Sequence, residues 1–367
     1  MVTLRRTVGS FDIISFTIML ILCGIGLSFV WSATYTLEIP YSLFFKKQTF
    51  GIISGITLYL AISTIDFRNL MRQGYFLYFC TIIILLFTLI KGSIGMGAQR
   101  WINLGIIKFQ PSELTKLFLP AFITYYLFTQ QENFMYKFKD FIFILGALFI
   151  SALLILKQPD LGTALILLIS GAITLWLAGI SRTFFLCIGL AGIIGAPIMW
   201  HFLKPYQRQR VTVFLGQGDA HKERYQIEQA KIAIGSGGLT GKGFLQGTQN
   251  KLLFLPESRT DFIFAVVCEE IGFLGALIIL SCYLFLFLRF ITAINRLASP
   301  FSQLFAYGLL IHVMVSTLVN IGMVIGILPI VGIPLPFMSY GISNLWITFV
   351  SLGAIQSILK GRAYLVE

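Results

Sequence analysis

The chain has 367 residues, of which 57% are hydrophobic and only 11% are charged. A soluble domain carries about 25% charged residues, so a soluble globular fold is excluded. The net charge of +12 would favour a nucleic-acid partner on a soluble protein. On a membrane protein such an excess has a topological explanation, so we expect no nucleic-acid partner.

The apolar runs predict an all-α polytopic membrane protein with about ten transmembrane helices, since a spanning helix needs roughly 20 mostly apolar residues. Helices can cross because they pair their own backbone groups. Residues 1–367 are expected to form one integral membrane domain, and the first run is too long for a cleavable signal. The predicted spans are 13–34, 48–64, 75–91, 113–129, 141–156, 161–179, 184–203, 262–287, 303–326 and 342–360.

The distribution of Lys and Arg predicts that both termini are cytoplasmic. With that orientation the inside segments hold eleven Lys and Arg residues and the short outside loops hold six, as the positive-inside rule requires. Residues 204–261 then form a large extracytoplasmic loop between helices 7 and 8, too long for a bare connection. A second outside segment, 327–341, holds three prolines and should be bent and poorly helical, which is tolerated at membrane depth only beside a cavity or inside protein.

Asp261 is the first candidate for chemistry. It lies in FLPESRTDFIF, where the long loop meets an apolar helix. A carboxylate at that border is partly desolvated, which raises its pKa towards that of a useful base. The structural alternative is a helix cap, with Ser258 or Thr260 as the N-cap and Asp261 beside the positive helix end.

Three further ionisable residues lie at predicted helix starts. Glu113 and Lys116 are three residues apart and share a helical face, so they form either a structural ion pair or one end of a polar cavity that receives a charged headgroup. Asp160, in QPDLGTA, is either a helix cap or a further polar group of that cavity.

The outer loops supply candidate ligands for an anion. Arg100 and Trp101 offer a cation and an amphipathic ring, although a Trp at that depth is commonly an interfacial anchor. Arg208 and Arg210 could hold phosphate through forked hydrogen bonds, unless they are solvated charges on a mobile loop. The Gly-rich stretch that follows does not match a phosphate-binding P-loop.

Several catalytic classes are unsupported. The five cysteines form no CxxC pair and the three histidines are scattered, so neither a metal site nor a disulfide framework is indicated. The HExxH and GxSxG patterns are absent from the sequence, which leaves zinc and serine hydrolysis without support.

The sequence resembles the SEDS family of cell-wall polymerases through motifs that follow the family's order along nearly the whole chain. They are GAQRWINLGIIKFQPSE (97–113), QPDLGTA (158–164), YQRQRV (206–211), AKIAIGSGGLTGKGFLQGTQ (230–249), FLPESRTDFIFAVVCEE (254–270) and NIGMVIGILPIVGIPLPFMSYG (320–341).

The resemblance implies a peptidoglycan glycosyltransferase that polymerises lipid II on the outer face of the bacterial cytoplasmic membrane during cell elongation. It implies that Asp261 is the essential aspartate and that Trp101, Glu113, Lys116 and Asp160 belong to the substrate cavity. The implied partners are a class B penicillin-binding protein, which crosslinks the new strand, and the elongation complex with MreC and MreD, among the lipids of the membrane.

The expected mechanism is a direct displacement in which Asp261 accepts the proton of the acceptor sugar's 4-hydroxyl. Arg100, Lys116 and Arg210 would stabilise the anionic leaving group, with Mg²⁺ or Mn²⁺ as a candidate helper and no other cofactor expected. The alternative is a flippase or transporter of the lipid-linked precursor. Transporters place ionisable sites near the midplane on matching repeats, whereas these candidates cluster at the outer boundary.

Overall fold

The computed structural model describes residues 11–95, 98–103, 105, 108–130, 136, 138–202, 205–214, 223–252 and 254–361. Its helices are α1 (Ile13–Thr34), α2 (Leu43–Ile62), α3 (Phe67–Lys91), α4 (Ser112–Thr129), α5 (Phe138–Lys157), α6 (Leu161–Leu177), α7 (Arg182–Phe202), α8 (Pro205–Phe214), α9 (Glu223–Gly237), α10 (Thr248–Lys251), α11 (Ile263–Asn295), α12 (Pro300–Val324) and α13 (Ile342–Lys360). Three strands, β1 (Ser93–Gly95), β2 (Ala98–Asn103) and β3 (Lys108–Phe109), complete the secondary structure.

The predicted spans are confirmed as helices. Each of the ten coincides with one of α1–α7 or α11–α13. Six of these, α1, α3, α5, α11, α12 and α13, are long and apolar enough to cross a bilayer, while α6 and Arg182–Gly195 within α7 are shorter apolar helices. The protein is therefore a multi-pass helical membrane protein.

Side-chain caps set several of the helix starts. Asp12 accepts a hydrogen bond from the backbone N–H of Ser15 at the start of α1, and Ser299 does the same for α12, whose first residue is a proline. These caps satisfy N–H groups that have no partner inside the helix. Asp12 also receives two-pronged hydrogen bonds from Arg289, which ties α1 to the far end of α11.

The centre of the bundle is formed by α12 and α13. In their most apolar windows 78% of the α12 residues and 89% of the α13 residues are buried. Around α12 pack α4, α6, α11 and α13, and the polar side chains of α13 are covered by protein rather than by lipid. Because α4, α6 and α13 all begin at one end of the bundle, their first turns lie close together there.

A small antiparallel sheet forms the connection from α3 to α4. Strand β1 pairs with β2, with Ser93 opposite Trp101, and β2 pairs with β3, with Ile102 opposite Phe109. The sequence alone predicts only an outer loop here. The sheet matters because it fixes the backbone that carries Arg100 and Trp101.

The long segment between α7 and α11 is largely ordered. It contains α8, α9 and α10, and α9 packs against α11. Residues 238–243 of its Gly-rich stretch are tightly turned, and their backbone is docked into a break in α11.

The break lies at Gly272, whose φ of 68° and ψ of −167° are not helical. Ahead of it, the carbonyls of Glu269 and Glu270 accept hydrogen bonds from Lys242 and Gly243 (3.0 and 2.9 Å), and after it Phe273 and Leu274 donate to the carbonyls of Gly238 and Leu239 (2.9 and 3.0 Å). The backbone of residues 238–243 thus supplies hydrogen-bond partners for backbone N–H and carbonyl groups that the interrupted helix leaves unpaired.

We predict that Gly272→Ala destabilises the protein. A β-carbon at this position would come within 2.3 Å of the Gly241 backbone nitrogen, and this backbone conformation is essentially restricted to glycine. We expect a loss of about 1–3 kcal/mol in stability from the backbone strain alone, measured as a lower thermal midpoint in detergent.

Gly189→Ala is the matched control for this substitution. Gly189 lies in α7, and nothing lies within 4 Å of its added β-carbon. The control should be neutral or slightly stabilising, because alanine favours a helix over glycine. Equal thermal midpoints for the two variants would contradict the docking described above.

Candidate functional site

A cavity of about 660 Å³ opens where the starts of α4, α6 and α13 meet the residues just before α11. Seven of the eight residues selected from the sequence line it: Arg100, Trp101, Glu113, Lys116, Asp160, Arg210 and Asp261. The eighth, Arg208, is not among the lining residues. Its guanidinium Nη2 donates to the carbonyl of His201 at 2.7 Å.

Asp160 is both a helix cap and a cavity residue. Its Oδ1 accepts a hydrogen bond from the Thr163 backbone N–H at 3.1 Å and its Oδ2 accepts one from the Thr163 hydroxyl at 2.9 Å. The Gln110 amide also donates to Oδ2, and an Arg100 guanidinium nitrogen lies 3.4 Å from Oδ1. The two interpretations offered by the sequence are therefore compatible, because the cap also anchors the Arg100 cation beside the cavity.

Glu113 and Lys116 form a buried ion pair, as their spacing predicts. The Lys116 Nζ lies 2.6 Å from the Glu113 Oε1, and both side chains are at most 5% exposed. The Asn344 amide donates to the second oxygen of Glu113 at 3.2 Å, so the carboxylate joins α4 to α13. The pair is therefore structural. Both charged groups also line the cavity, where they can contact a bound molecule.

Asp261 does not cap α11. The N-cap is Phe262, without a side-chain hydrogen bond, and the Thr260 hydroxyl donates to Glu257 instead. The pKa of Asp261 is raised to about 7, mainly because the carboxyl is buried and also because the Glu257 carboxylate is near, while Arg100 and Arg210 act in the opposite direction. The carboxyl is therefore a proton acceptor matched to neutral pH.

Positive charge surrounds this carboxyl. The lining holds five Lys and Arg residues against four Asp and Glu residues. Lys47 and Lys108 were not selected from the sequence. The first turns of α4, α6 and α13 contribute the positive ends of their helix dipoles. The cavity is thus built to hold an anion next to a neutral-pH base.

Four uncharged or acidic lining residues were also missed by sequence reasoning: Gln110, Glu257, Tyr340 and Asn344. Gln110 and Glu257 stand inside the motifs that carried the family resemblance, so the motifs pointed to them. Tyr340 also lies in one of these motifs (320–341), whereas Asn344 becomes recognisable only when α13 is brought against α4.

The irregular 327–341 segment forms one wall of the cavity, as its prolines and glycines predict. Val331, Gly332, Ile333 and Pro334 line it. Gly332 has a positive φ of 72°, and a β-carbon there would lie 3.5 Å from the Asp261 Oδ2. The backbone of this wall therefore approaches the carboxylate closely.

Within the described ranges no three His, Cys, Asp or Glu side chains lie close enough to hold a metal ion. The acidic groups of the cavity are instead engaged with protein partners, Asp160 with Arg100 and Glu113 with Lys116.

Comparison with known proteins gives concordant matches. The family model described as cell cycle protein FtsW/RodA/SpoVE matches residues 13–364. The peptidoglycan glycosyltransferase MrdB of Escherichia coli K12 is 41% identical over 325 residues, which are 87% of this chain and 86% of that protein.

Two solved structures share the fold. A chain of a structure titled as the coordination of polymerization and crosslinking by a peptidoglycan synthase complex has a TM-score of 0.81 at 25% identity, covering 97% of this chain and 99% of its own. The rod shape determining protein RodA of Thermus thermophilus has a TM-score of 0.71 at 24% identity, covering 96% and 98%.

We predict that Glu257→Gln lowers the pKa of Asp261 and that Arg100→Gln raises it, because each removes a charge that now acts on the carboxyl. The measurement is the pH dependence of the carboxyl stretch in infrared difference spectra of purified protein, with Asp261→Asn to assign the band. Arg208→Gln, which lies outside the lining, should leave the titration unchanged. Identical titrations in all three variants would contradict this electrostatic description.

Proposed function

The chain belongs to the FtsW/RodA/SpoVE family of cell cycle proteins, and we propose that it polymerises lipid II into glycan strands on the outer face of the bacterial cytoplasmic membrane. It is a peptidoglycan glycosyltransferase, the class to which its curated relatives belong. The observation that supports the substrate most directly is a carboxyl with a pKa of about 7 inside a cation-lined cavity.

Asp261 acts as the general base of a direct displacement. It accepts the proton of the acceptor sugar's 4-hydroxyl while that oxygen forms a bond to the anomeric carbon of the donor. The bond from that carbon to undecaprenyl pyrophosphate breaks, and the electron pair leaves with the pyrophosphate. Single displacement inverts the anomeric centre, so an α-linked donor gives a β-linked strand.

The cavity's cations stabilise the leaving group. A pyrophosphate gains negative charge as the bond breaks, and preorganised cations in a water-poor site stabilise that charge strongly. Arg100 and Arg210 lie near enough to Asp261 to lower its pKa, which supports a role for both cations beside the reacting groups. Lys116 offers a further positive charge at the buried end of the cavity.

The pairing of Lys116 with Glu113 also keeps an ammonium ion stable at membrane depth. Charged groups there are expensive unless they are paired or face a cavity. Trp101 adds an aromatic face at the rim, with the Arg100 guanidinium carbon 5.9 Å from its ring centroid. We assign Trp101 and Asp160 to the binding of the substrate headgroup.

A glycosyltransferase fits this site better than a flippase does. The charged groups lie at one end of the bundle, around the starts of α4, α6 and α13, whereas a transporter's sites lie near the midplane. A base with a pKa near neutrality also serves group transfer directly.

We propose a class B penicillin-binding protein as the partner that crosslinks the product, within an elongation complex with MreC and MreD. Support comes from the matched peptidoglycan synthase structure, whose title couples polymerization to crosslinking. The new strand is chemically complete only after its peptides are joined, so a transpeptidase must use the product of this reaction.

The cavity end faces the outside of the cell and both termini face the cytoplasm. The excess of Lys and Arg at the opposite end of the helices supports this orientation. Residues 204–261, which carry Arg210 and Asp261, then form the large extracytoplasmic segment of a single membrane domain.

We predict that Asp261→Asn abolishes polymerisation while the protein still inserts and folds. Asn preserves the size of the side chain but cannot accept a proton at neutral pH, and loss of a general base costs about 10²–10⁴-fold in rate. The measurement is glycan formation from labelled lipid II by reconstituted protein. In the wild type the rate should rise with pH through about 7, because the base works only when deprotonated.

Asp66→Asn is the control, since Asp66 caps α3 away from the cavity and Asn also caps well. It should polymerise normally. A folded Asp261→Asn variant with the rate of the control would reject Asp261 as the base.

We predict that Thr240→Cys is labelled from outside intact cells and Arg296→Cys only after the membrane is opened, once the native cysteines are replaced. Both positions are exposed, and they lie on opposite sides of the membrane in the proposed orientation. A cysteine placed after Lys360 should behave as Arg296→Cys does. The reverse labelling pattern would put Asp261 on the cytoplasmic side and reject the extracytoplasmic site.

A further inference from the structure

Asp261 occupies an unusual backbone position. Helix α11 begins at Ile263, so the carbonyls of Arg259, Thr260 and Asp261 receive no hydrogen bond from its first turn. Among the residues that the structure describes, none donates a hydrogen bond to the Asp261 carboxylate. The position of the carboxylate must therefore be set through the backbone that carries it.

Three groups from the C-terminal part of the chain hold these three consecutive carbonyls. The Tyr340 backbone N–H donates to the Arg259 carbonyl at 2.9 Å, and the Ser339 hydroxyl donates to the Thr260 carbonyl. The Asn320 amide donates to the Asp261 carbonyl at 2.9 Å. Each carbonyl thus has its own donor.

Both amide hydrogens of Asn320 are used in holding backbone carbonyls. Asn320 is 0% exposed on α12, and its second amide hydrogen binds the Ile333 carbonyl at 2.7 Å. Because both acceptors are carbonyls, only the amide nitrogen can face them, so the orientation of the side chain is unambiguous. One side chain therefore links the backbone of the base to the cavity wall beside Gly332.

Ser339 is held just as firmly. It is 3% exposed, and its oxygen accepts a hydrogen bond from the Leu335 backbone N–H at 2.8 Å. Its own carbonyl accepts one from the buried Gln48 amide at 3.0 Å. The donor that holds Thr260 is thereby fixed to α2 and to the proline-rich wall.

We propose that Asn320 and Ser339 are positioning residues that hold Asp261 in the geometry needed for proton transfer. The proposal rests on the proposed role of Asp261 as the base. Neither side chain is among the groups that line the cavity, so both act through the backbone. A general base must reach its proton over roughly 2.6–3.2 Å, and a displacement of about 1 Å can reduce a rate about 10²-fold.

The test compares Asn320→Leu, Ser339→Ala, Thr317→Val and Asp261→Asn as full-length protein in nanodiscs, with kcat and KM measured on labelled lipid II. Asn320→Leu keeps the size of the side chain and removes both donors. We expect its kcat to fall about 10²-fold with KM unchanged, since the groups that bind substrate are intact. Ser339→Ala should lower kcat in the same way by a smaller factor.

Thr317→Val is the matched control. Thr317 is buried on α12 one turn before Asn320, and its hydroxyl bonds only to its own helix, at the Val313 carbonyl. Its kcat and KM should equal those of the wild type. A fall in kcat for this variant comparable with that of Asn320→Leu would show a general disturbance of α12 and overturn the proposal.

The outcomes separate the two hypotheses. If Asp261→Asn is inactive and folded Asn320→Leu has wild-type kcat, or loses activity only through KM, the positioning role is rejected and the base stands. If Asp261→Asn is fully active, the base itself is rejected and the positioning role falls with it. If Asn320→Leu does not fold, Ser339→Ala decides, and a wild-type kcat in that variant rejects the proposal.

Discussion

The structure depends on one constraint, which is that polar groups at membrane depth must find partners within the protein. Helices meet this need for most of the backbone. Two exceptions are held by specific contacts. Residues 238–243 pair with the break in α11, and the carbonyls of residues 259–261 are held by Asn320 and by residues 339–340. The charged side chains follow the same rule, since Lys116 is paired with Glu113. The cavity is therefore one of the places where irregular backbone is held within the protein.

Two electrostatic needs compete inside this cavity. An anionic leaving group calls for cations, yet cations lower the pKa of a carboxyl that must accept a proton. Arg100 and Arg210 do act on Asp261 in that direction, and burial together with Glu257 outweighs them. Asp160 forms an ion pair with Arg100, which reduces the positive potential of Arg100 at the Asp261 carboxyl. Two acidic neighbours, Glu257 and Asp160, therefore allow the cavity to combine a basic carboxyl with cations that bind an anion.

The sequence was sufficient to predict the features that follow directly from hydrophobic length, residue spacing and proline content. Apolar length predicted ten helices, the i, i+3 spacing predicted the Glu113–Lys116 pair, and the prolines predicted the irregular wall. It could not decide whether Asp261 caps α11, because that depends on whether the helix begins at Ile263 or earlier. The sequence also predicted that both Arg208 and Arg210 bind the substrate. Only the conformation of α8 decides which guanidinium faces the cavity and which one turns to the carbonyl of His201.

The break at Gly272 divides α11 into two parts with different surroundings. Residues 262–270 are all buried in protein, whereas Phe273 and Leu274 are exposed to lipid. The part after the break, residues 273–295, is roughly 35 Å long as a helix, which is enough to cross the roughly 30 Å of hydrocarbon in a bilayer. Tilting or bending of the lipid-facing part under changes in membrane thickness must pass through one glycine pinned by four backbone hydrogen bonds. The four hydrogen bonds around the break therefore hold the protein-buried start of α11 in a fixed direction relative to the lipid-facing part.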